Sequence, residues 1–143
     1  MSEGKQELVR NWLLKASHDL TAARLLSERE PAVLDVAIYH CQQAGEKALK
    51  GFLVFWDQRV DKTHDLKALL KKAIVIEPRL AASRDAAARL TPYATAYRYP
   101  TRIGGPDLEQ VGEALEDAAG IYKQVLSYLP SEVHPETIDP DSG

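Results

Sequence analysis

Cysteine, long apolar runs and a dominant charge sign are all scarce in this sequence, and each scarcity excludes something. The lone Cys41 cannot close an internal disulfide, which fits a reducing compartment. No apolar run approaches the roughly 18 residues that span a bilayer. The start Met-Ser-Glu-Gly-Lys-Gln-Glu also lacks the charged-then-apolar form of a secretion signal. The expectation is a cytoplasmic protein with no membrane part. With 18 Lys and Arg against 21 Asp and Glu the net charge is -3, so an anion site has to be a local cluster of cations rather than a basic surface. No segment alternates with a two-residue period, which leaves no expectation of strands. His18, His40, His64 and His134 form no ligand pair at useful helical spacing, and Gly104-Gly105 is no Lys-Ser/Thr phosphate loop. Neither a metal nor another cofactor is expected.

What remains is a chain of 143 residues, 45% hydrophobic and 27% charged, which suits one globular domain with a real core. Apolar residues Leu8, Val9, Trp12, Leu13, Ala16, Leu20, Ala23 and Leu26 recur at three- and four-residue steps and predict a helix from about Gln6 to Glu28. Leu14 and Leu25 fall on its other side, as scattered surface leucines or as part of a subunit contact. Glu30-Pro31 breaks the pattern, and a central helix follows from about Ala32 to Asp57. A third, with Thr63 as its expected cap and His64 and Asp65 in its first turn, ends before Pro78. An alanine-rich segment from Arg79 to Tyr97 is helical but interrupted at Thr91-Pro92, either by a kink or by a new start capped by Thr91. After an irregular loop from Arg98 to Pro106, a helix capped by Asp107 runs to about Leu129. The tail 130–143 is rich in Pro, Asp, Glu and Ser and reads as disordered. The fold class is therefore all-α, an antiparallel up-down bundle of four or five helices over residues 1–129.

The central helix carries most of the chemistry. At about 100° per residue, Leu34, Ala37, Ile38, Cys41, Ala44, Gly45, Ala48, Phe52, Phe55 and Trp56 share one face. Tyr39, His40, Gln43, Glu46, Lys47 and Lys50 share the other, where they meet solvent, a ligand or a second subunit. Cys41 reads as a small buried residue rather than a nucleophile. Asp19 projects into the apolar face of the first helix, so a Lys, Arg, Tyr or helix end has to meet its carboxylate. A ribonuclease needs no metal if a histidine moves the proton and an arginine stabilises the developing charge, which directs attention to Arg98, Arg102, Arg59 and the histidines.

Asp19-Leu20 with Ala22-Ala23-Arg24-Leu25-Leu26, then Tyr39-His40-Cys41-Gln42-Gln43-Ala44-Gly45-Glu46-Lys47-Ala48-Leu49-Lys50, then Lys62-Thr63-His64-Asp65-Leu66, then Tyr93 and Arg98-Tyr99-Pro100 together resemble the HEPN domain over about residues 8–129. The resemblance implies a helical bundle, commonly a homodimer, often one half of a toxin–antitoxin pair with a minimal nucleotidyltransferase. It also implies binding of nucleotide or RNA and, in a subset of members, metal-independent ribonuclease activity. That subset carries Arg, four to six residues, then His near the start of the last helix. Here the positions that follow Arg98 at this spacing are Ile103, Gly104 and Gly105, and those that follow Arg102 are Asp107, Leu108 and Glu109. Arg59 and His64 have the spacing but precede the third helix.

The resulting expectation is a binding protein that recognises a nucleotide, RNA or the partner protein, with Tyr39, His40, Gln43, Lys47, Lys50, His64, Arg98 and Arg102 as ligand or phosphate contacts. Asp19 is the structural polar anchor. The alternatives are a ribonuclease using Arg98 with His64 or His40, and a purely structural dimerisation module.

Overall fold

The computed structural model describes residues 1–102 and 104–136; Ile103 and residues 137–143 lie outside the described part. Five α-helices form the fold: α1 (Glu3–Glu28), α2 (Leu34–Phe55), α3 (Leu66–Ile76), α4 (Arg84–Leu90) and α5 (Leu108–Ser127). No strand occurs among the described residues. Nor is any described helix long and apolar enough to cross a membrane. Tight 3-10 turns at Pro78–Ser83 and Thr91–Ala94 flank α4, and a third at Ser131–Val133 follows α5.

The turn at residues 29–33 folds α2 back along α1, and this is the most extensive helix pair; α5, α3 and α4 cover the rest of α2. Two glycines allow the close approach. A Cβ on Gly51 would lie 3.1 Å from the Trp12 Cβ, and one on Gly45 only 2.7 Å from Leu66 Cδ2. Phe52, Leu49 and Leu53 are wholly buried in α2, each worth about 1.5–3 kcal/mol over an exposed position.

Several expectations change with this packing. Because α2 has neighbours on almost every side, its polar face is not outward over its middle: Gln42, Glu46 and Lys50 are buried there. Trp56, placed on the apolar face by periodicity, lies just past the helix end and is 46% exposed; Leu8 on α1 is 49% exposed. The cap of α3 is Asp65, whose carboxylate accepts from Lys67 N–H at 3.0 Å, while Thr63 Oγ1 accepts one turn earlier from Asp65 N–H. Thr91 does not cap a new helix either. Its hydroxyl donates to the Ala87 carbonyl at 2.7 Å, and the chain tightens into the 3-10 turn. Asp107 caps α5 as expected, accepting from Gln110 N–H at 2.8 Å.

The tail is ordered further than composition suggests. Val133 is wholly buried, His134 Nε2 reaches the Leu126 and Leu129 carbonyls at 2.8 and 3.0 Å, and Arg10 donates to the Glu132 carbonyl at 2.7 Å. One apolar anchor and the open carbonyls at the end of α5 are enough to hold residues 130–134. The expectation for 137–143 falls outside the described residues.

Candidate functional site

Two carboxylates organise the polar part of α2. Asp19 comes from α1 and is only 6% exposed; it accepts from Lys47 Nζ and from His40 Nδ1, both at 2.7 Å. His40 and Lys47 stand two helical turns apart, so both reach the same point on α1. The buried acid thus meets a lysine, one of the partners expected of it, and a histidine as well.

Glu46 is the second centre. It accepts from Lys50 Nζ at 3.0 Å, His64 Nδ1 at 2.7 Å and Gln42 Nε2 at 3.2 Å. Gln42, wholly buried, also donates to the His64 carbonyl at 2.9 Å and accepts from Gln43 Nε2 at 2.7 Å. This network ties the 56–65 connection to the middle of α2. Lys50 is closed in further by the Trp12 ring, 6.0 Å from Nζ to its centroid. No buried side-chain N or O lacks a hydrogen-bond partner among the described residues. Because carboxylates only accept, His40 and His64 both carry a proton on Nδ1, which fixes each ring's orientation and leaves Nε2 as the other functional atom.

Arg98 belongs to a different corner. Its guanidinium sits over the Tyr39 ring, 4.9 Å from the centroid, and Tyr39 in turn meets His40 edge-on at 6.0 Å. The start of α2 and residues 97–101 and 104–106 line a cleft of about 580 Å³, whose polar and aromatic lining is Asp35, Tyr97, Arg98, Tyr99 and Thr101. Beneath it Tyr93 and Tyr97 stack at 6.1 Å, and Gln110 Nε2 donates to both hydroxyls at 3.1 Å.

Sequence reasoning placed eight residues at one site, and the structure divides them. Tyr39, His40 and Arg98 are contiguous. Gln43, His64 and Lys50 join the Glu46 network, and Lys47 is held by Asp19. Lys50 is corrected most clearly, since at 7% exposure its ammonium is engaged inside the bundle. Arg102 is exposed and does not line the cleft among the described residues. Asp35 and Gln110 were not anticipated. Asp35 carries no spacing signal of its own, whereas Gln110 could have been suspected as the polar residue one turn inside a helix that follows a tyrosine cluster. Cys41 is buried as expected, and desolvation pushes its thiol up to about 12.

No group of three or more His, Cys, Asp or Glu side chains suited to a metal ion occurs among the described residues. Chemically, the Arg98 corner offers a cation for a phosphate, aromatic faces for a base and an acid for hydroxyl or amino donors.

Comparison with known proteins agrees with this architecture. The family model described as HEPN domain matches residues 9–128. The crystal structure of TT1696 from Thermus thermophilus is 29% identical and superposes with a TM-score of 0.75, covering 86% of this chain and 99% of that one. ST0689, described as an archaeal HEPN homologue, is 26% identical with a TM-score of 0.66, covering 83% of this chain and 95% of that one. No curated protein matches the chain.

Proposed function

The chain belongs to the HEPN domain family, and from that premise we propose that it is a binding protein of the cytoplasm, which takes a nucleotide or single-stranded RNA in the Arg98 cleft without cleaving it. The observation that carries this reading is the Arg98 guanidinium stacked on Tyr39 at the side of a 580 Å³ cleft that also holds Tyr97, Tyr99 and Asp35. Stacking holds the planar guanidinium partly ordered before a phosphate arrives, which reduces the entropy lost on binding. A base then stacks on a tyrosine face, and Asp35 accepts from a ribose hydroxyl or an exocyclic amine. Absence of a histidine at the ribonuclease spacing after Arg98 supports binding over hydrolysis.

The same reading makes the protein a homodimer and one member of a toxin–antitoxin-like pair with a minimal nucleotidyltransferase. The exposed side chain of Leu25, on the side of α1 away from the core stripe, supports a subunit contact there.

Fluorescence anisotropy with labelled single-stranded RNA, alongside calorimetry with mononucleotides, tests the site. Arg98→Ala should weaken binding at least about tenfold, the worth of one charge-assisted contact, with helicity unchanged. Undiminished binding in that variant sinks the site. A second reading rests on the Asp19–His40 pair, which orients an imidazole next to Tyr39 and Arg98 as a general base would be oriented. RNA cut by purified protein in EDTA, and spared by His40→Ala, would favour that ribonuclease reading instead.

A further inference from the structure

A second groove runs between α3 and α4 and shares no lining residue with the Arg98 cleft. Leu70 and Ile74 form its apolar floor with Ala88; Lys67 and Lys71 stand on one wall, Arg84 and Asp85 on the other. Among the described residues, none of the three cationic side chains has a hydrogen-bonded or ion-paired carboxylate. Three cations against the single Asp85 carboxylate leave this apolar surface with a net positive charge, which attracts an anion.

We propose that this groove binds a small anionic amphiphile, an alkyl or aryl body ending in a phosphate or carboxylate. Its volume of about 460 Å³ lies in the range of ligand pockets. At roughly 30 Å³ per water-sized group this is room for about 15 such groups, the size of decyl phosphate. A nucleic acid offers phosphates to the walls but no aliphatic part to the floor. The amphiphile satisfies both, with its chain on Leu70 and Ile74 and its head between Lys71 and Arg84.

Calorimetry on the full chain with decyl phosphate and decanoate, each below its micelle-forming concentration, and with decyltrimethylammonium as the opposite charge, tests this. Both anions should bind one to one, the phosphate more tightly, and the cation should not bind. Lys71→Glu with Arg84→Glu should weaken the anions at least about tenfold, and Ala88→Trp should abolish binding by filling the groove. Both variants are checked for native helicity by circular dichroism, and the charge-reversed protein carries the test if Ala88→Trp fails to fold. Equal binding of the cation overturns the proposal. So does unchanged affinity in either folded variant, failure of both anions to bind, or binding of an acidic amphipathic peptide in their place.

Discussion

Replacing Glu46 with alanine strands Lys50 inside the bundle. The two side chains are 6% and 8% exposed and joined at 3.0 Å, so their charges interact in a medium far from bulk water. Removing one member of such a pair costs about 3–5 kcal/mol, mostly because the other is left charged and buried. His64 adds little to this sum. Its side chain is 62% exposed, and water can replace the carboxylate at Nδ1. Gln42 keeps the His64 carbonyl as a partner. The expected loss for Glu46→Ala is therefore near the lower end, about 3 kcal/mol. Replacing the pair together, as Glu46→Leu with Lys50→Met, removes both charges and refills the space. Such exchanges are often neutral, but Gln42 and His64 lose an acceptor, so a net loss of about 1 kcal/mol is expected. Urea unfolding followed by far-ultraviolet circular dichroism, at one fixed protein concentration because association adds to apparent stability, measures both. The reasoning is refuted if the double variant loses as much as the sum of the Glu46→Leu and Lys50→Met singles. A Glu46→Ala cost under about 1 kcal/mol, the value of an exposed pair, would refute it as well.

Other outcomes follow from burial and close packing. Gly45→Ala should lower stability by about 1 kcal/mol, since overpacking against Leu66 Cδ2 outweighs the gain in helix propensity. Gly112→Ala and Gly120→Ala, where a Cβ meets nothing within 4 Å, should each raise the melting temperature through about 0.5–1 kcal/mol. Burial holds the Cys41 thiol near about 12 against an ordinary value of 9.0, so the unfolded chain loses its proton first. Stability should therefore fall as pH rises from 9, by at most about 1.4 kcal/mol per pH unit. Between pH 9 and 10 most of this slope should disappear in Cys41→Ala, as read from chemical unfolding across that interval, leaving only the onset of the contribution from the buried Tyr122 hydroxyl, which burial also pushes up. A slope undiminished in the variant would place the titration elsewhere.

Periodicity alone located α1, α2 and α5 to within a few residues, because one apolar stripe per helix is a local property of the chain. The burial of Asp19 and its need for a polar partner were legible for the same reason. Its particular partners were not, since His40 and Lys47 are distant in sequence and reach it only through the α1–α2 register. Glu46 and Lys50 read as part of a face open to solvent, a ligand or a second subunit because a helical wheel shows one helix and not how many neighbours surround it.

The sequence by itself determined an all-helical bundle, its family, the caps at Asp107 and the buried thiol at Cys41. Each depends on residues near one another along the chain or on an ordered set of motifs. Only the tertiary structure decided which cations are spent on carboxylates and which are not. Lys47 and Lys50 are used inside the fold, Arg98 rests on Tyr39 at the edge of a cleft, and Lys67, Lys71 and Arg84 face one groove. A cation's role depends on what packs beside it, and in this bundle that is set by helices whose contacts join distant parts of the chain.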